Sequence, residues 1–246
     1  MAIDDPAPSG SDAAQAEGES LADVMAEVAR TLHAPPDLAA TLEQIVTTAV
    51  DSLPGLDHAG VSVGHHSGDV ETLAATDPLV SELDRLQYSL GEGPCVFSLE
   101  VQPLTVVEDL PSESRWPRYI PQAARLGVRA QLAVRLYLEE QTLGVLNLYS
   151  TSTDEVHDDV VHAAELFATH AALALGKARV AHNLSEALDT RTVIGQATGL
   201  VMERYQLDDH VAFEYLVRVS TTSNRKLRDI AQEVIDQANV RYHRGG

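Results

Sequence analysis

No proline occurs between Ser152 and Gly246, although the chain contains 11 of them. Proline lacks an amide hydrogen and clashes with the preceding turn, so it is the residue that most firmly interrupts a helix. The last third of the chain is therefore free to be helical without a break. Ser152-Thr153-Asp154-Glu155 fits a capping box, in which a side-chain acceptor opens the helix and a glutamate three residues later reaches back. The helix predicted from it runs through Leu166, Phe167, Leu173 and Leu175, with Gly176 its only early break. It continues as one rod into Leu184, Leu188 and Ile194. Leu173, Val180, Leu184 and Leu188 are then available to pair with a second copy in a parallel dimer.

The end of the chain reads as three helices. The first closes near Tyr205. The second opens at Asp208 or Asp209 and carries Val211, Ala212, Tyr215, Leu216 and Val219 on one face. The third opens after Asn224, a good cap, and carries Leu227, Ile230, Ala231, Val234, Ile235 and Ala238. That last stripe has the cleanest helical period in the chain.

Upstream the pattern changes. Residues 1–20 are acidic and rich in Ala, Gly, Ser and Pro, a composition that reads as a disordered tail. Helical spacing follows from Leu21 to Arg30 and from Asp37 to Asp51, with Asp37 placed to cap the second helix. Ala59–Val63 and Val70–Ala75 flank the turn-like His66-Ser67-Gly68-Asp69, as in a hairpin. A helix covers Pro78 to Leu86 and a short strand Pro103 to Val107. Gln131–Tyr137 and Leu143–Tyr149 form a second strand pair, with Glu139-Glu140-Gln141 as the turn.

The net charge of −20 argues against a polyanionic partner until its distribution is considered. Residues 1–180 hold 9 basic and 28 acidic side chains, whereas 181–246 hold 8 and 9. Within 221–246 there are five basic and three acidic residues. The C-terminal end is thus compatible with a phosphate backbone while the remainder is not. No run of residues approaches the ~18 apolar positions of a membrane span. A single cysteine, Cys95, permits no internal disulfide. With no secretory signal at the N-terminus, the expected location is the cytoplasm.

Leu90-Gly91-Glu92-Gly93-Pro94-Cys95, Pro103–Asp109, Trp116, Leu126-Gly127-Val128 and Leu143–Leu148, following the 59–75 hairpin, resemble a GAF domain. The resemblance covers about Asp37 to Gly176. It implies a central antiparallel sheet with helices on one side and a small-molecule cavity on the other. Ile194–Arg204, Ala212–Ser220 and Asn224–Ala231 resemble an ANTAR domain across Leu184 to Ala238. Members of that family bind paired stem-loops in nascent RNA and disfavour a terminator hairpin. The chain departs from many members in having Thr198 where they carry a basic residue.

Several residues carry candidate chemistry. Gly195 and Gly199 share a helix face adjoining Thr198. Helical glycine costs ~1 kcal/mol against alanine, so close packing of a neighbouring helix accounts for the pair, with close approach of RNA as the alternative. Arg218 sits at the edge of the second helix's stripe, and Asn224, Arg225, Lys226 and Arg228 cluster at the turn and at the start of the third helix. A helix N-terminus favours anions, and these side chains either meet RNA or form a solvated surface. Tyr205 and Tyr215 are candidates for stacking on a loop base, although the pattern assigns Tyr215 to the core. Gln196, Thr198, Arg204, Arg218, Asn224, Arg225 and Lys226 form the expected RNA-binding set.

Cys95 reads as a buried small hydrophobe rather than a reactive thiol. A lone cysteine also cannot run an exchange cycle within the chain, unlike the sulfoxide-reductase GAF proteins, which use several. Neither the His65-His66 pair nor the His157/His162 pair has the geometry of a metal site. No cyclic-nucleotide or chromophore signature is recognised, and no cofactor is expected. A GAF ligand of unknown identity and a sealed core remain equal readings.

The expectation is an α+β GAF-like domain over 21–180 and an all-α three-helix ANTAR-like bundle over 181–242, joined by a long helix after the tail. The chain would be a non-enzymatic, cytoplasmic, homodimeric antitermination regulator that binds two-hairpin elements in nascent transcripts. The alternatives are a DNA-binding regulator with a helix-turn-helix, against which the long Thr221-Thr222-Ser223 connection speaks, and a GAF-domain enzyme.

Overall fold

In the computed structural model, residues 21–33, 35–64, 70–139 and 141–244 are described. The acidic tail, the His65–Asp69 turn with its histidine pair, and Glu140 of the other expected turn lie outside them. The chain divides into two compact units, meeting between Ala178 and Arg179.

The first unit begins with helices α1 (Leu21–His33) and α2 (Leu38–Ser52). Asp37 caps α2, its carboxylate accepting from the Ala40 amide at 2.8 Å. Strands β1 (His58–Gly64) and β2 (Val70–Ala75) form the expected hairpin. Helix α3 (Pro78–Leu90) is one turn longer than the pattern suggests and stops at Gly91, whose φ of 63° suits glycine. Two short helices follow, α4 (Pro94–Glu100) and α5 (Ile120–Arg125), separated by strand β3 (Leu104–Val107). Neither helix was evident in the sequence. Strands β4 (Ala130–Leu138) and β5 (Gln141–Ser150) complete an antiparallel sheet in the order β2-β1-β5-β4-β3.

Helix α6 (Asp158–Tyr205) is a single helix of 48 residues. The Ser152 capping box does not open it. The Ser152 amide and hydroxyl are bound instead to the Asp57 carboxylate, at 3.0 and 3.1 Å. Asp154 pairs with Arg129 at 2.7 Å. With those groups engaged, the first turn closes on the His157 carbonyl. Gly176 is not a break either. A Cβ there would lie 3.1 Å from Leu138, so the glycine lets α6 pass close to the end of β4.

The sheet is covered on both faces, where the resemblance implies helices on one alone. Alternation along the strands explains how one sequence serves both. Leu132, Val134, Leu136, Leu146 and Leu148 face α1, α2 and the first part of α6, packing with Ile45, Phe167 and Leu175. Val145, Asn147 and Tyr149 on β5, with Gln131 and Ala133 on β4, face α3, α4 and α5.

That second face contains a polar layer. Asp84 of α3 has no exposed surface. Its carboxylate accepts from the hydroxyls of Tyr149 (2.5 Å), Thr72 (2.7 Å) and Ser62 (2.9 Å) and from the Asn147 amide (3.2 Å). Gln87 donates to the Tyr149 hydroxyl at 3.1 Å and accepts from the Cys95 amide at 2.8 Å. Tyr119 donates to Gln131 at 2.8 Å. The layer thus occupies the side on which the resemblance implies a cavity. Burial pushes the Cys95 thiol up to about 12, helped by the nearby Asp84 charge, so almost no thiolate exists at neutral pH.

Burial also pushes the Asp84 carboxyl above the usual carboxylate range, and its four hydrogen bonds only partly oppose this. A raised folded-state value means that the folded protein holds a proton the unfolded chain has released. Stability is then lost as pH rises from the ordinary aspartate value through the raised one. The stability of the protein relative to Asp84→Asn should therefore fall as pH climbs from 4 to 8, measured by urea denaturation at each pH. A relative stability that rises over that range would show the carboxylate to be favoured by its hydrogen bonds.

Candidate nucleic-acid interface

The second unit is built from the end of α6 with α7 (Asp209–Ser223) and α8 (Leu227–Arg244). Its core is small and aliphatic. Ala197 and Val201 of α6, Ala212 and Leu216 of α7, and Ile230 and Ala231 of α8 are buried together. Asp208 caps α7, accepting from the Val211 amide at 2.8 Å.

Asn224 does not cap α8 as the sequence suggests. It ends α7, at φ 52° and ψ 39°, with its amide bound to the Ser220 carbonyl. Asparagine tolerates this left-handed conformation better than most residues. The Arg225 amide returns to the Ser220 carbonyl at 3.2 Å, and the Ser220 hydroxyl donates to the Arg225 carbonyl at 2.6 Å. Helix α8 then opens on the Lys226 carbonyl, which accepts from the amides of Asp229 and Ile230. Arg225 and Lys226 are thus displayed on a tightly bonded turn, both exposed.

Between the end of α6, α7 and α8 lies a cleft of about 530 Å³. Its walls include Tyr205, Tyr215, Leu216 and Val234, and its polar positions include Arg204, Arg225, Glu233 and Gln237. Tyr205 is 48% and Tyr215 43% exposed, so the core assignment of Tyr215 is corrected. Position 215 lies at the edge of the α7 stripe, and only Ala212 and Leu216 of that helix are fully buried. The two tyrosine rings lie 5.8 Å apart, and the Arg204 guanidinium sits 5.3 Å from the Tyr205 ring. Arg225 pairs with Glu233 at 2.7 Å, both about half exposed.

The seven sequence-derived candidates do not form one constellation. Arg204 and Arg225 line the same cleft, with Asn224 and Lys226 on the adjoining turn. Arg218 is exposed on α7, one turn beyond Tyr215 and outside the cleft lining. Gln196 and Thr198 are two residues apart on α6, which at 3.6 residues per turn sets them on roughly opposite sides. The Thr198 hydroxyl is spent on the Ile194 carbonyl at 2.8 Å. Glu233 and Gln237 went unnoticed in the sequence. Their i, i+4 spacing is ordinary for a solvated helix face, and only the cleft marks them out.

The glycine pair also differs from the expectation. Gly195 and Gly199 are exposed, and a Cβ built on either meets nothing within 4 Å. No neighbouring helix among the described residues requires them to be glycine.

The family models agree with this division. A GAF domain model matches residues 36–176, and an ANTAR domain model matches residues 182–235. No match to a curated protein sequence was found. Among solved structures, the chromophore-binding domain of a bacteriophytochrome from R. palustris is similar, with TM-score 0.51 and 14% identity over 64% of this chain; the match spans 62% of that domain. The GAF domain of an Acinetobacter phosphoenolpyruvate-protein phosphotransferase gives TM-score 0.53 at 12% identity, covering 68% of this chain and 99% of that one. The free methionine-R-sulfoxide reductase of Neisseria meningitidis, solved with its substrate, gives 0.53 at 16%, covering 65% and 91%. At such identities these likenesses speak for the fold alone. Among the described residues no helix is long and apolar enough to cross a membrane. With more than half its length matched by the first model, the chain belongs to the GAF domain family, and it carries after that sensory domain an ANTAR domain, an RNA-binding antitermination module.

Proposed function

We propose that the chain is a non-enzymatic, cytoplasmic antitermination regulator that binds paired stem-loops in nascent RNA, with 21–180 as sensory and dimerising part and 181–242 as RNA-binding part. The observation that carries this reading is the α7–α8 turn. It presents Arg225 and Lys226 beside an aromatic cleft, on a chain whose net charge is −20. Arg218, Arg225 and Lys226 meet phosphates or loop bases, with Asn224 holding the turn. Arg204 supports them at the cleft, and Gln196 and Thr198, on different sides of α6, complete the set as separate contacts. Against catalysis in the GAF domain stands its single thiol, buried and protonated. Asn147 Oδ1 and Gln131 Nε2, buried in the polar layer without partners among the described residues, support a small-molecule ligand of unknown identity on that side.

The exposed stripe on α6 supports the dimer reading. Leu173, Val180, Leu184 and Leu188 lie on one stripe of the helix and are 51%, 70%, 60% and 56% exposed. A second copy pairing along this stripe would remove them from water and bring two RNA-binding units onto one frame. Two weak contacts held together gain effective concentration, which is why two adjacent hairpins would be held far better than one.

Three measurements check this reading, and a fourth checks the glycines of α6. Gel shifts should show the full chain binding two-hairpin RNA more tightly than one hairpin or duplex DNA. Arg225→Ala with Lys226→Ala should weaken that binding and reduce its salt dependence by roughly one charge-equivalent per lost phosphate contact; an unchanged affinity and salt slope in a folded variant would reject this surface. Light scattering should report a dimer, and Leu184→Asp with Leu188→Asp a monomer, since burying charge in the seam costs several kcal/mol. A monomeric unaltered protein at micromolar concentration would end the dimer reading. Gly195→Ala and Gly199→Ala should each raise stability by about 1 kcal/mol in thermal melts; a loss of stability would show that a neighbour requires the glycines after all.

A further inference from the structure

We propose that the pocket between β2, α3 and α4 admits a small organic ammonium ion, whose charged head passes Tyr88 to reach Asp84 and Asn147; this rests on the reading above that the GAF domain takes a small-molecule ligand on its polar side. The pocket has a volume of about 380 Å³, within the range of small-ligand sites. Val70, Val96 and Leu99 give it an apolar wall, and Tyr88 lines it as well. Tyr88 belongs also to the polar layer. Its hydroxyl lies 3.8 Å from Cys95 Sγ and beside Ser62 and Thr72, the two hydroxyls that donate to Asp84 Oδ2. One half-buried side chain thus links the pocket to the buried carboxylate.

The layer behind Tyr88 is short of positive charge. The donors to Asp84, from Ser62, Thr72, Asn147 and Tyr149, are all neutral, and the residue has no exposed surface. A buried carboxylate without a cation is costly to ionise. Asn147 is buried too, and it donates through Nδ2 to Ser62 and Asp84. That leaves its Oδ1 without a donor among the described residues. A primary ammonium supplies both missing parts, a positive charge for Asp84 and an N–H for Asn147 Oδ1. An anion would meet the carboxylate with no cation to offset it, and an alcohol would bring a donor but no charge. The alkyl part of the ligand is left to Val70, Val96 and Leu99. Residues 1–180, with 9 basic and 28 acidic side chains, draw cations towards this unit.

The test compares three probes with one carbon skeleton, isopentylammonium, isopentanol and isovalerate, on the full chain at millimolar concentration and equal ionic strength. Calorimetry should show the ammonium binding, the alcohol weaker by about tenfold, the least effect of an opposite charge beside a carboxylate, and no binding of isovalerate. Affinity for the ammonium should climb from about pH 5 to about pH 8, because the cation is held by the ionised carboxylate. The other titratable groups facing Asp84, which are Tyr88, Cys95, Tyr119 and Tyr149, are pushed up by burial and stay neutral over that range. Asp84→Asn should lower the affinity about tenfold and flatten its pH dependence. Val96→Trp, which fills the pocket from α4, should block binding in a protein that melts normally. If isopentanol or isovalerate binds as well as the ammonium and Val96→Trp blocks it, the ligand reading stands and the ammonium class is wrong. If the ammonium binds Asp84→Asn and Val96→Trp as it binds the unaltered chain, it is held elsewhere on the acidic surface and this site is wrong. If none of the three probes binds, the proposal fails and the ligand reading loses this pocket.

Discussion

Everything in this chain hangs on one helix. Helix α6 spans Asp158–Tyr205 and changes its surroundings twice along its length. Ala164, Phe167, Ala171 and Leu175 are buried against the sheet, residues 181–189 are exposed throughout, and Ala197 and Val201 are buried in the small bundle. Helices in proteins owe most of their stability to packing of an apolar face, not to propensity. The exposed middle is therefore held by its two packed ends, and it is the part with the most to gain from a partner. The absence of proline makes such a helix possible, and the two buried stretches make it stable. The bundle beyond it has a core of few residues, so its cleft and its charged turn occupy much of what it presents.

The other constraint is the buried carboxylate. Asp84 draws donors from β1, β2 and β5 onto α3, tying one face of the sheet to a single acceptor. Buried polar groups of this kind need every partner in place. That face combines directional bonds with a second apolar cluster, whereas the opposite face is filled by leucine, alanine and phenylalanine. The aliphatic face keeps α6 anchored to the sheet.

Much of this was legible in the residues. Helical spacing and turn-bounded β-rich runs located α1, α2, α3, α7, α8 and all five strands, because each carries a recognisable pattern of its own. The short helices α4 and α5 were missed, since seven and six residues cannot establish a period. Local capping rules failed where a distant residue competed for the cap. Ser152 was taken by Asp57, 95 residues earlier in the chain at the start of the neighbouring strand, and no local rule contains that contact. Asn224 was rightly seen as a helix-end residue but assigned to the wrong helix, because asparagine suits both an N-cap and a left-handed C-cap. The basic cluster could be read from composition, but the cleft could not. Its lining comes from three helices; Tyr205 and Tyr215 stand out in the sequence as possible stacking residues, but Glu233 and Gln237 look like ordinary surface residues.

The central claim is that this protein acts on RNA through its C-terminal helices. It is tested most directly by crosslinking the protein to nucleic acid in its own cells and sequencing what is recovered. The account predicts transcripts containing two adjacent hairpins. It also predicts crosslinked peptides from the α7–α8 turn and the cleft beside it. Recovery of duplex DNA, or of no nucleic acid above background while the protein is abundant and folded, would contradict it.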